Sequence, residues 1–504
     1  MSVLAIQALI RRPYLALALA MLFETIVFVA GQVDFVASDP LAYADIANRI
    51  AEDPREAFAA PSNHPFEMRI GLTLPLALLY RAFGVSTLVT NLPCLFGALG
   101  ILMVVYAAAP TPRAKLLGML FGVACVPLAR HVNLLTPDLP CAALMALSVL
   151  CLSRRDLARG SRWVIAGMIA WFAAFLVKEA AIWCAPVWFY VVVRDLREAG
   201  WRSAARMFAP AIVVGVALGA VYLVLCLVVW GNALARFAGI QELTDSHTWS
   251  MSAKPTSEWV ARLTWQPPVL LFKMFGAALI PVVLAAWLVR GPARIWWVAT
   301  ASITLIFWFG SASMSSFELL PMRPRMVLPI LPGILVLAAL ATDRGLDRIK
   351  RARWRTAVVI GLVLAIAVPS ARPLTRLITS DAPETAAYAV LRDELADPNR
   401  RIVLVCADHR CVWISSFYFG FDVPPNLTVV FAPDFARAPL PALVTVRALV
   451  NLDLAGEFRT GHPSADMAAP IEAVSLSPLF KRSHVRLYDA GDGARLWTAL
   501  QPAP

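Results

Sequence analysis

At 504 residues, 59% apolar, 15% charged and with a mean hydropathy of +0.68, the chain is too apolar for a soluble multidomain protein and reads as a polytopic membrane protein. Its net charge of +12 would suit nucleic acid, but the basic residues cluster in short loops beside apolar runs, so membrane lipids rather than nucleic acid are the expected partners. Six of the eight cysteines (Cys94, Cys125, Cys141, Cys151, Cys184 and Cys226) fall in apolar runs and are expected to pack.

The chain opens with Arg11-Arg12 and the apolar run 13–30, long enough to span and without a small-residue cleavage site, so an uncleaved first span with its N-terminus inside is expected. The interval 31–69 follows. It carries Asp34, Asp39, Asp45, Glu52, Asp53, Glu56 and Glu67 and cannot lie in hydrocarbon, so it belongs in water at one face. Residues 70–83 are apolar but too short to cross and are interrupted by Pro75 and Arg81, which predicts a surface segment. Spans are then expected near 86–109, 115–130, 139–152, 163–177, 180–193, 208–230, 268–290, 295–310, 327–341 and 356–371, making about eleven transmembrane helices with the first. This count puts Arg113, Lys115, Arg154, Arg155, Arg194, Arg197, Arg290, Arg294 and the basic run 344–355 on the side of Arg12. The connections 31–69, 131–138, 178–179, 231–267 and 310–325 share the outer face. Beyond residue 372 the composition turns mixed: helical periodicity over 386–395, a β-rich run at 401–406 and short strands at 427–431 and 484–488 predict a small α/β periplasmic domain. The fold class is therefore an all-α polytopic membrane domain, 1–371, with an acidic outer loop at 31–69 and a C-terminal α/β domain, 372–504.

The candidate residues lie on the outer side. Asp39, before Pro40, reads as a helix N-cap, and capping would hold a carboxylate in the fixed direction that a general base needs. Asp138 starts a span in the segment His131 to Asp138; it is either a solvated helix N-terminus or a functional acid. Lys178-Glu179 joins two apolar runs with almost no loop; the two charges either snorkel or pair, and the lysine would suit a lipid-linked phosphate. Arg323 and Arg325 precede a proline-rich span on the face where the charge rule does not place cations, and paired guanidiniums suit phosphate oxygens. Cys406 and Cys411 flank a histidine without a fourth metal ligand, which favours a local disulfide, and the glycosylation triplet at Asn426 is too common to carry weight.

In their order and sidedness these features resemble the GT-C glycosyltransferases, in the branch that holds protein O-mannosyltransferases and lipid A aminoarabinose transferases. The likeness covers roughly residues 10–345: a first span, Asp39 and Tyr43 in the outer loop, a surface segment running into Phe83-Gly84-Val85, Pro137-Asp138, Lys178-Glu179, and Arg325 ahead of Pro332. It implies a polyprenyl-phosphate-linked sugar as donor, an inverting displacement, and a lipid, glycan or protein acceptor. Asp39 would be the base, Asp138 a second acid on acceptor or metal, and Lys178 and Arg325, with Arg323 beside it, the donor-phosphate ligands. Tyr43, His64, Arg69, His131 and Glu179 are expected in acceptor-binding or supporting roles. Many relatives carry two adjacent acids in the first loop, whereas Asp39 is flanked by Ser38 and Pro40. That departure makes Asp34 a rival base and weakens the case for a divalent metal. The alternative reading is a lipid-linked sugar flippase, which should show broken helices at the midplane and internal symmetry.

Overall fold

A computed structural model describes residues 12–501 apart from 33, 35–37, 60–63, 157–159, 246–253, 312–316, 321, 380–381, 441–443, 453–466 and 483. Arg11 and Pro321 thus lie outside the described residues. The protein is a polytopic α-helical membrane protein with a small C-terminal α/β domain. Among the described residues six stretches are long and apolar enough to cross a membrane: Pro13–Ala30, Thr87–Ala108, Glu179–Trp230, Gln266–Leu288, Pro324–Arg348 and Ala352–Leu395. The last runs from the helix Ala352–Ile378 into Pro383–Leu395, whose three acids and one arginine make it a water-facing element. Ile70–Phe83, Asp138–Ser153 and Arg162–Val177 are shorter apolar helices.

The chain forms two compact units. The first comprises Met1–Gly31, Asp53–Ala77 and Asn91–Thr379. Its helices follow the apolar runs, with departures where the backbone chemistry changes. The span expected at 115–130 is two helices, Pro112–Val123 and Val126–His131, because Pro127 falls at the start of a new turn and lacks the N–H that would continue the old one. The spans expected at 180–193 and 208–230 are two helical stretches within Ala185–Trp230, parted at Gly200, whose φ of 78° and ψ of 165° are not helical and suit glycine. The helix Leu331–Arg348 is buried along nearly its whole length, from Leu331 to Asp343, and forms the centre of this unit. Two of the arginines expected to mark topology also lock helix ends together. Arg155 binds Asp195 through two bonds of 2.7 Å, and Arg113 binds both Asp343 and Asp347.

The second unit comprises Gln32–Glu52, Leu78–Thr90 and Ser380–Pro504. Its five-stranded sheet has the order β2-β1-β3-β5-β4, where β1 is Ile402–Cys406, β2 Leu427–Phe431, β3 Thr445–Asn451, β4 Ser477–Arg482 and β5 Val485–Gly491. β2, β1 and β3 are parallel, and β5 and β4 are antiparallel additions. β1 is apolar and buried at every position, as a central parallel strand must be. Arg447 in β3 is buried, with Glu394 and Asp489 as its partners. Cys406 and Cys411 are disulfide-bonded, tying the end of β1 to the helix His409–Tyr418, which Asp408 caps by accepting from the Arg410 N–H. The Asn426 amide donates to the carbonyls of Leu395, Asp397 and Arg400, which gives this residue a structural task. The loop helix Ser38–Glu52 packs against His409–Tyr418, and its Leu41, Tyr43, Ala44 and Ala47 are buried.

Candidate active site

In the first unit the expected residues gather around Lys178 and Glu179. Lys178 ends the helix Arg162–Val177 in an extended conformation (φ −154°, ψ 141°), and Glu179 opens the 3-10 turn Glu179–Cys184. This break turns the two adjacent side chains to different partners. Lys178 Nζ lies 2.5 Å from Asp138 Oδ1 and 3.7 Å from the Met326 sulfur. Asp138, at the head of its helix, is 1% exposed and Lys178 6%; Asp138 Oδ2 has no hydrogen-bond partner among the described residues. Asp138 is therefore no solvated helix terminus, and Lys178 does not snorkel.

Glu179 is gripped from two sides. Arg69 donates to it through Nε at 3.2 Å and Nη2 at 2.8 Å, and Arg236 donates through Nη2 at 3.3 Å. Arg236 also donates to the Phe175 carbonyl at 2.7 Å and lies over the Phe175 ring, 4.6 Å from its centre. Three cations thus meet two carboxylates in a buried place. Two glycines permit the assembly. A Cβ on Gly71 would come within 2.7 Å of the Leu176 backbone, and one on Gly97 within 2.9 Å of Pro140, so larger residues would push away the helices that present Arg69 and Asp138.

His131 is buried and bonds the Pro127 carbonyl at 2.8 Å, and the charges of Asp138 and Arg325 both act on it. Arg325 is half-buried in the 3-10 helix Pro324–Ile330, while Arg323 and His64 are exposed, His64 with its ring edge-on to Phe66. The sequence reading missed two arginines. Arg236 stood alone in a long connection without a pattern around it. Arg262 is buried and donates to the carbonyls of Phe307, Trp308 and Leu320, which fixes the backbone ahead of Arg323 and Arg325.

Asp39 and Tyr43 belong to the second unit. The helix begins at Ser38, so Asp39 sits inside its first turn rather than at the cap, half-buried, with Tyr43 fully buried one turn on. Asp34, the rival base, is committed elsewhere. Its carboxylate accepts from the N–H of Glu384 (2.8 Å), the N–H and hydroxyl of Thr385 (3.1 and 3.0 Å) and the hydroxyl of Tyr418 (3.0 Å). That engages both oxygens.

The described residues around Asp138 and Glu179 do not form a divalent-metal site. Among the described residues no three His, Cys, Asp or Glu side chains gather into a ligand set, and Asp138 and Glu179 are each held by cations. The chemistry is therefore derived without one.

No protein-family model and no curated protein matches the chain. Solved structures do. ArnT from Cupriavidus metallidurans in the apo state aligns with a TM-score of 0.60 and 15% identity over 99% of this chain and 100% of its own. The same protein bound to undecaprenyl phosphate aligns with a TM-score of 0.56 and 16% identity over 97% and 99%. The Archaeoglobus fulgidus oligosaccharyltransferase, in complex with Zn and sulfate, aligns with a TM-score of 0.51 and 12% identity over 82% of this chain and 62% of that one. At these identities the likeness is one of fold, and with ArnT it runs nearly the full length of both chains: the protein shares the fold of ArnT.

Proposed function

We propose that this protein is an inverting glycosyltransferase that moves a hexose or pentose from a polyprenyl phosphate to a lipid, glycan or protein acceptor. It works at the periplasmic face of a bacterial inner membrane, with the N-terminus cytoplasmic. Residues 1–371 form the transferase domain, and 372–504 a periplasmic domain.

The observation that carries the reading is the buried excess of positive charge around Lys178 and Glu179. In an inverting transfer the acceptor oxygen bonds to the anomeric carbon as the bond from that carbon to the phosphate oxygen breaks. The electron pair leaves on the phosphate, which gains a negative charge as it changes from diester to monoester. Fixed cations beside that oxygen bind the transition state more tightly than the ground state. Lys178, with two N–H bonds beyond the one to Asp138, and Arg325 take this role. Asp138 orients Lys178, and Arg69 and Arg236 hold Glu179. Asp39 takes the acceptor proton, a step typically worth about a hundredfold to ten-thousandfold. The undecaprenyl phosphate bound by ArnT, which shares this fold, supports a polyprenyl carrier.

The test is to supply a panel of polyprenyl-phosphate sugars to vesicles containing wild-type protein or Asp39→Asn. Wild type should transfer one of them, and Asp39→Asn should lose at least a hundredfold. Equal turnover by both would remove Asp39 from its role, and silence with every donor would turn the assignment toward a lipid-linked sugar carrier.

A further inference from the structure

The helix Pro383–Leu395 begins without a cap of its own, since Ala382 stands at the capping position and has no side chain to offer. Its first free N–H groups are instead satisfied by Asp34, 350 residues earlier in the chain. A buried anion there is favoured by both the free donors and the helix dipole. Tyr418, the third donor residue, stacks on Tyr388 with ring centres 4.5 Å apart, and Tyr388 in turn bonds Ser415 at 2.7 Å. Asp34 therefore docks on a stiff platform. The helix that Tyr418 ends, His409–Tyr418, is also the one against which Ser38–Glu52 packs. Asp34 and the loop helix that carries Asp39 are thus both attached to the elements of this unit.

We infer that Asp34 is a positioning residue, whose carboxylate ties the start of the first outer loop to the C-terminal domain and so sets the direction from which Asp39 acts. This rests on the transferase reading for its consequence, though not for the clamp itself. The domain that carries no candidate catalytic group thereby acquires a task in the reaction. A second carboxyl completes the pocket. Glu384 is buried beside Asp34, accepts from the Asn451 amide, and also feels Asp408; Tyr388 and Tyr418 face the pair. Burial and the Asp34 charge push Glu384 up to about 8, so near neutral pH it stays largely protonated.

The experiment uses the full chain in lipid vesicles with Asp34→Ala, Asp34→Asn and Tyr418→Phe, read by amide hydrogen exchange over Ser38–Glu52 and by transfer kinetics. Asp34→Ala should speed exchange in the first turns of that helix about tenfold or more and lower kcat about tenfold, with the donor KM within threefold. Asp34→Asn keeps an acceptor oxygen, and should restore both readouts to within about threefold of wild type. Tyr418→Phe removes one of the four bonds and should fall between, and it decides the matter should Asp34→Ala fail to accumulate. Unchanged exchange and kcat in Asp34→Ala and Tyr418→Phe would overturn the inference. So would an Asp34→Asn protein with wild-type exchange but no turnover, which would make Asp34 itself the base. A wild-type protein that transfers no sugar would sink the transferase reading, while the exchange measurement would still decide the clamp.

Discussion

Glu384→Gln replaces an acid that folding holds protonated with a side chain of the same shape that never ionises. In the folded protein the Glu384 carboxyl is raised from its ordinary 4.5 to about 8, first by burial and then by the charge of Asp34, with the Asn451 bond opposing and Asp408 adding. Between those two values the folded state binds a proton that the unfolded state has released, so stability falls as pH rises, by about 1.4 kcal/mol per pH unit. The contribution is fully present below pH 4.5 and gone above about 8. At pH 7 the wild-type carboxyl therefore costs about 3 kcal/mol relative to a group that cannot ionise. The glutamine carbonyl can still accept from Asn451, so Glu384→Gln should recover most of that amount at pH 7 and flatten the slope. Hydrogen exchange at β1 and β3 amides, corrected for intrinsic rates and followed from pH 5 to 9 in the full-length protein, reads the opening free energy directly. Parallel pH slopes in wild type and Glu384→Gln would refute the reasoning.

The paired charges of the first unit give two further expectations. Asp138→Asn leaves Lys178 buried without its counter-charge and should lower stability by roughly 3–5 kcal/mol in thermal unfolding. Asp138→Asn with Lys178→Met should regain most of that stability while the donor KM stays at least tenfold raised; a double variant with wild-type KM would take Lys178 out of donor binding. Arg236→Gln loses the bond to the Phe175 carbonyl and one of the two cations on Glu179, a cost of about 1–3 kcal/mol. Because it acts through Glu179, its donor KM should rise with kcat within threefold. A collapse of kcat at constant KM would place it on the reacting atoms instead.

The parts of the fold that the sequence made legible are those set by local composition. Pro13–Ala30 and Thr87–Ala108 fall within a residue or so of the expected runs because each is predominantly apolar, and the polar residues inside them, Glu24-Thr25 and Thr90-Asn91, are too few to end the run. β1 was legible for the same reason. β3 was not: Arg447 interrupts Thr445–Asn451, and the acids that make it tolerable, Glu394 and Asp489, come from distant segments. β4 carries Pro478 and Lys481, as an exposed edge strand can, and so gives little strand signal. At the site, Lys178-Glu179 stood out because two charges interrupt apolar sequence. The partners that decide what those charges do, Asp138 on one side and Arg69 with Arg236 on the other, are set by packing. The same limit explains Asp34, which local sequence cannot distinguish from Asp39 and which differs from it by a helix encoded near the other end of the chain.

The Asp34 attachment also has a consequence for biogenesis. Gln32–Glu52 leaves the ribosome early, yet the donors at Glu384, Thr385 and Tyr418 are made only after more than 300 further residues. Arg81 can hold the far end of this segment early, through its bond to the Ala51 carbonyl, but in a chain interrupted before residue 384 the Asp34 end has none of these donors.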